Sequence, residues 1–250
     1  MAVIIATAAH AEIKTERIDY HHGETLLVGY LAYDDTMTGK RPGVLVVHEW
    51  WGLNDYAKKR AEQLARLGYV AFALDMYGKG KATTDPKVAG EWAAVFRNDR
   101  PFGRARAAAG LEVLKSMPQV DPARIAAIGY CFGGTVVLEM ARGGADLKGV
   151  VSFHGGLSTP NPADARNIKG KVLVLHGADD PFESPAEIAA FQEEMHQAGV
   201  DWQMVYYGGA VHAFTNPDAG RAGLKGVAYN GAADRRSWLA MRGFLDEIFK

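Results

Sequence analysis

The chain has 250 residues, 48% hydrophobic, 23% charged and 10% aromatic, which is enough apolar material for a large globular core in one or two domains. Its formal net charge of −1 gives no global attraction to nucleic acid or to an anionic membrane. A single cysteine excludes an intramolecular disulfide, no Cys/His cluster has zinc spacing, and no apolar run approaches the roughly 18 residues of a membrane span.

The chain opens on MAVIIATAAHAE, a short apolar run ending in Ala9-His10-Ala11, an A-x-A pattern like that before a signal cleavage site. No Lys or Arg precedes the run, so two readings stand. It is the tail of an export signal of a periplasmic or secreted protein, or a plain apolar segment of a cytoplasmic one. Residues 1–23 are set apart as an N-terminal segment, and 24–250 form one domain.

ETLLVGYLAY (24–33) alternates like a strand near a sheet edge, and PGVLVVHE (42–49) is a continuous β-branched run, as a strand buried on both faces should be. A helix is predicted over 54–67, where Asn54 caps and Ala57, Ala61 and Leu64 recur at helical spacing. GYVAFALDM (68–76) reads as a strand, and a helix over 101–116 starts at Pro101. RIAAIGY (124–130) is a strand followed by a helix over 133–142. LKGVVSF (147–153) and KVLVLHG (171–177) are strands, then a helix spans 185–198. WQMVYYG (202–208) is the last strand, and a helix over 232–249 puts Trp238, Met241, Leu245 and Ile248 on one face.

Strand alternating with helix predicts an α/β fold, a mostly parallel central sheet with helices on both faces. Ligands in such sheets bind beyond the C-terminal ends of the strands. The segments to inspect are therefore HEWWGLN (48–54), DMYGKG (75–80), CFGG (131–134), HGG (154–156), ADDPF (178–182) and AVHAF (210–214).

GYCFG (129–133) fits G-x-C-x-G, a nucleophile elbow with cysteine in place of serine, between a strand and a helix as that motif requires. The following helix turns its positive end toward Cys131, which favours thiolate. The triad order nucleophile, acid, base then directs attention downstream. His176 ends a strand in a packing position, His196 sits on an exposed helix surface, and His154 ends a strand near the site as a supporting residue. His212, in a glycine-rich loop between the last strand and the last helix, is where the base belongs. The acid follows the strand ending at 177, where Asp180 before Pro181 is preferred and Asp179 is a turn residue. The N–H after the nucleophile, that of Phe132, is one oxyanion donor, and a second comes from the loop after the first buried strand.

HEWWGLN, GYCFGG, HGADDPF and GGAVHAFTNP together resemble the dienelactone hydrolase family of α/β-hydrolases, over residues 24 to 249. The resemblance implies the α/β-hydrolase fold and a Cys131–His212–Asp180 triad. It implies that Trp50 supplies the second oxyanion N–H. It also implies that Glu49 contacts the resting thiol and controls its ionisation. Basic side chains usual in the family would bind a substrate carboxylate, but Lys79 stands where one arginine is usual and Asn216 where another is. Trp50, Trp51, Phe132 and Phe214 would line an aromatic pocket. The implied activity is hydrolysis of a lactone or small carboxylic ester through an acyl-thiol, with a broad carboxylesterase as the alternative and a non-catalytic binding protein as the third reading. The expected partner is a small-molecule ester or lactone; no cofactor, metal, nucleic acid or membrane span is implied, and nothing sets an oligomeric state.

Overall fold

The apolar runs become neighbouring strands of one eight-stranded sheet in the computed structural model, which describes residues 12–250. The apolar N-terminal run, residues 1–11, lies outside the described residues. The strands are β1 (Ile13–His22), β2 (Thr25–Asp34), β3 (Arg41–Val47), β4 (Val70–Leu74), β5 (Val120–Tyr130), β6 (Gly149–Phe153), β7 (Lys171–Gly177) and β8 (Trp202–Tyr207). Their order across the sheet is β1-β2-β4-β3-β5-β6-β7-β8. From β4 to β8 every pairing is parallel, while β1 and β2 form an antiparallel hairpin that joins β4 antiparallel. This is the mostly parallel sheet of the α/β-hydrolase fold.

Strand β1 departs from the sequence reading. It takes the edge position expected for β2, so the sheet starts at Ile13 and not at residue 24. IKTERIDYHH carries charge at most of its exposed positions and buries only Tyr20 fully. That is how an edge strand avoids pairing with other chains, and it also hides the strand's period. The hairpin closes through Gly23 and Glu24, with Gly23 at φ 58°, a two-residue loop that favours glycine.

Among the described residues six α-helices cover the sheet: α1 (Asp55–Ala65), α2 (Pro86–Asn98), α3 (Arg100–Ser116), α4 (Phe132–Arg142), α5 (Pro185–Ala198) and α6 (Gly231–Ile248). Helix α2 is also unforeseen. Asp85 caps the Lys87 N–H at 2.8 Å, Pro86 opens the helix, and Ala89, Ala93 and Phe96 are buried. Gly90 in its middle weakens the helical signal. Alternation along β3 divides the layers. Val44 and Val46 pack in one core with Ala61 and Leu64 of α1 and Met241 and Leu245 of α6. Leu45 and Val47 pack in the other with Leu111 of α3, Val137 of α4 and Phe191 of α5.

One polar cluster is buried within the second layer. Arg142 of α4 has no solvent exposure. Its Nε and Nη2 donate to the two carboxylate oxygens of Glu194 at 2.8 and 2.9 Å, its Nη1 to Glu139 Oε1 at 3.0 Å, and its Nη2 also to the Leu157 carbonyl at 2.8 Å. Glu139 Oε2 takes Arg104 Nη2 at 2.7 Å, and Arg104 Nη1 reaches Asp164 at 2.7 Å. The cluster joins α3, α4, α5 and the loop after β6, which form one wall of the site.

Candidate active site

Strand β5 passes into helix α4 through Cys131 alone. The turn is so abrupt that Cys131 takes φ 53° and ψ −117°, a left-handed conformation costing about 1–3 kcal/mol for a residue with a side chain. The flanking glycines make the turn possible. A Cβ on Gly129 would collide with the Gly133 carbonyl, and one on Gly133 with the Val47 carbonyl. The Cys131 N–H is shared between the Phe153 carbonyl at 3.0 Å and His154 Nδ1 at 3.1 Å. His154 therefore supports the turn through its backbone.

Three loops converge on the cysteine. His212 Nε2 lies 3.0 Å from Cys131 Sγ, and His212 Nδ1 lies 2.8 Å from Asp180 Oδ2. Asp180 Oδ1 accepts the Phe182 N–H at 3.0 Å, while Asp179 is exposed. Of the two aspartates, only Asp180 is bonded to the imidazole. Burial opposes charge on His212, but the neighbouring sulfur and the Asp180 carboxylate outweigh it and hold its pKa well above the ordinary value.

Glu49 lies two residues past the end of β3, in the loop to α1, and is 2% exposed. Its Oε2 accepts Asn216 Nδ2 at 2.6 Å. Burial lifts its pKa to about 7, against the opposing effects of Asn216, His212 and Arg60. The resemblance implies contact between Glu49 and the resting thiol. The structure instead bonds the carboxyl to Asn216, and among the described residues the hydrogen bond of the sulfur is to His212. The Trp50 and Phe132 N–H groups find no acceptor among the described residues. The loop that presents Trp50 is braced by His48 Nδ1 donating to the Glu49 carbonyl at 2.5 Å and by the Tyr77 hydroxyl donating to the Trp50 carbonyl at 3.0 Å.

These groups open into a cavity of about 480 Å³ that Glu49, Cys131 and His212 share with Trp50, Trp51, Phe132 and Phe182. Two expected lining residues lie elsewhere. Lys79 is exposed and pairs with Asp19 of β1 at 3.3 Å, because β1 occupies the space beside the 75–80 loop. Phe214 has no exposure and packs its ring on His154 and Tyr207, with centroids 5.1 and 5.4 Å away, behind the wall. Asn216 lines the cavity, but its amide is engaged by Glu49.

The sequence reading missed four charged residues of the cavity: Arg97, Arg100, Glu183 and Glu187. Arg97 and Arg100 sit where α2 meets α3, away from any strand end, so a search confined to strand ends passes over them. Arg100 has no hydrogen-bond or ion-pair partner among the described residues, and its Nε is buried. Burial lowers its pKa; Glu139 opposes this, and Arg142, Arg97 and Arg104 add to it. Glu183 Oε2 accepts the Leu157 N–H at 3.2 Å, and burial, with Glu187 and Asp180 nearby, lifts its pKa to about 7. No cluster of three or more His, Cys, Asp or Glu able to hold a metal occurs among the described residues.

The chain is similar to several known proteins. A dienelactone hydrolase-like promiscuous phosphotriesterase from metagenomic libraries superposes with a TM-score of 0.93 at 43% identity, covering 96% of this chain and 100% of that one. The structure called m3DLH superposes with a TM-score of 0.92 at 45% identity, covering 95% and 99%. Protein usf of Aquifex pyrophilus is 31% identical over 206 residues, 80% of this chain and 87% of its own. The family model for the dienelactone hydrolase family matches residues 27–249. That match takes in every strand and loop that builds the cavity, and the chain accordingly belongs to the dienelactone hydrolase family, as a hydrolase of the α/β-hydrolase fold.

Proposed function

We propose that the protein hydrolyses a lactone or small carboxylic ester through an acyl-thiol intermediate on Cys131. The observation that carries this reading is the continuous relay from Cys131 Sγ through His212 to Asp180, at 3.0 and 2.8 Å. The thiolate attacks the carbonyl carbon, and the Trp50 and Phe132 N–H groups receive the oxyanion. The imidazolium of His212 then protonates the leaving alcohol, while Asp180 keeps the ring in the tautomer and orientation this needs. Water completes the cycle by cleaving the acyl-thiol.

The unpaired Arg100 favours substrates that carry an anionic group, because a guanidinium left without a carboxylate in a half-buried site gains most from one. This restores the preference that Lys79 and Asn216 had put in question. A second reading, phosphotriester hydrolysis at the same sulfur, is favoured by the 43% identical neighbour described as a promiscuous phosphotriesterase.

Turnover of a carboxylate-bearing lactone, a p-nitrophenyl carboxylic ester and an aryl phosphotriester by the wild type and Cys131→Ala tests both readings. The expected result is an acylation burst and a Cys131 acyl adduct by mass spectrometry with the carboxylic substrates, both absent from Cys131→Ala. Undiminished turnover by Cys131→Ala would sink the proposal. Faster turnover of the phosphotriester than of either carboxylic substrate would put the second reading first.

A further inference from the structure

Two proton-handling groups face one cavity, and only one of them is bonded to the thiol. His212 is held between the Cys131 sulfur and Asp180. Glu49 is held apart by Asn216, whose amide cannot turn over. Its Oδ1 accepts the Asp218 N–H at 2.9 Å, so its NH2 must face Glu49 Oε2, 2.6 Å away. The backbone of Asn216 is tied as well, its N–H donating to the Ala213 carbonyl at 3.0 Å.

Glu49 Oε1 is left over. It has no hydrogen-bond partner among the described residues and is not fully sealed, and Glu49 lines the same cavity as Cys131. The next residue is Trp50, whose N–H is free. A carbonyl oxygen held by that N–H brings the acyl carbon to the Glu49 end of the cavity.

We propose that Glu49, positioned by Asn216, is the base of the second half-reaction and takes the proton of the water that cleaves the acyl-thiol. The proposal rests on the acyl-thiol reading above. The water oxygen bonds to the acyl carbon as one water proton passes to Glu49 Oε1. The C–S bond then breaks, its electron pair returns to sulfur, and the product leaves as the carboxylic acid. The Glu49 proton passes to His212, which had given its own to the leaving alcohol, and the starting charges are restored. The net change is ester plus water to acid plus alcohol.

Burial supports this role. It lifts the Glu49 pKa to about 7, which makes the carboxylate a competent base near neutral pH. The groups that act on it are Asn216, His212 and Arg60, with Tyr56 and Tyr130 sensing its charge. Dividing the two proton transfers between two groups also frees His212 to remain the partner of the sulfur.

The experiment is a pre-steady-state comparison of wild type, Glu49→Gln and Asn216→Ala on a p-nitrophenyl ester, with intact-mass detection of the Cys131 adduct. Glu49→Gln is expected to keep its acylation burst within about twofold of wild type, while kcat falls roughly a hundredfold and the acyl-enzyme accumulates. Asn216→Ala is expected to show the same split to a lesser degree, with the limb of kcat near neutral pH displaced upward because the carboxylate loses its donor. A burst that slows in step with kcat would overturn the inference by placing Glu49 in the acylation step, and so would an unchanged kcat in Glu49→Gln. Failure of the wild type itself to form a Cys131 adduct overturns the acyl-thiol reading, and this inference falls with it.

Discussion

His154 Nδ1 takes the backbone N–H of Cys131 at 3.1 Å, which leaves the ring proton on Nε2 to donate to Thr215 Oγ1 at 2.7 Å. Thr215 Oγ1 in turn lies 2.6 Å from the Tyr56 hydroxyl of α1, which accepts Arg60 Nε at 3.3 Å. A single neutral imidazole thus ties the strained Cys131 turn to α1 and to the loop that carries His212.

Replacing that imidazole is predicted to cost stability. His154→Leu removes one of the two partners of the Thr215 hydroxyl and one of the two acceptors of the Cys131 N–H, a loss of about 1–3 kcal/mol measurable as a lower urea midpoint. Burial, with the charges of His212 and Arg60, pushes the His154 pKa well below its ordinary value. The unfolded chain therefore binds a proton below about pH 6.5 that the folded one refuses. This contribution to stability is present above that pH and is lost as pH falls, so the gap between wild type and His154→Leu should narrow at pH 5.

The signs reverse for Glu49. Its folded pKa of about 7 stands above the unfolded value, so the folded state holds its proton more tightly. The associated stability is full below about pH 4.5 and lost as pH rises through 7. Glu49→Gln keeps an acceptor for Asn216 and removes this dependence. It should match the wild type near pH 4.5 and exceed it by roughly 3 kcal/mol at pH 8, read as a growing difference in thermal midpoint. A constant difference across that range would show that the carboxyl is not perturbed.

Arg100 is predicted to act on substrate and not on folding. Arg100→Gln should lower kcat/KM for a carboxylate-bearing lactone about tenfold, the loss of one charge-assisted contact, and leave its methyl ester within twofold. The urea midpoint should not fall, since no carboxylate loses a partner. Equal losses on both substrates would mean that the guanidinium shapes the wall without reading charge.

Arg142 is the opposite case. Arg142→Ala leaves Glu194 buried without its cation, which costs about 3–5 kcal/mol, visible in urea unfolding. Arg142→Met with Glu194→Leu should recover most of that loss. If the single substitution costs under about 1 kcal/mol, the cluster is not what holds α4 to α5.

Part of the molecule is legible without coordinates. The apolar runs of β3 to β7 announce buried strands because a parallel sheet covered on both faces needs apolar residues at every position. GYCFGG announces its turn because no residue but glycine fits at 129 and 133. The downstream order of Asp180 and His212 follows from which loops meet at the strand ends. Strand β1 was illegible because an edge strand carries charge where a central one carries valine. Helix α2 was illegible because its buried face is built largely from alanines around a glycine.

The sequence by itself determined the layered α/β architecture and which three loops bring Cys131, Asp180 and His212 together. These rest on local periodicity and on the fixed polarity of a parallel sheet. Only the tertiary structure decided the partners across the cavity. It bonded Asp180 and not Asp179 to the imidazole, tied Glu49 to Asn216 across 167 positions, and left Arg100 beside a cluster whose carboxylates are already taken by Arg104 and Arg142. Those choices depend on hydrogen bonds between side chains far apart in the chain, whose meeting is set by loop geometry.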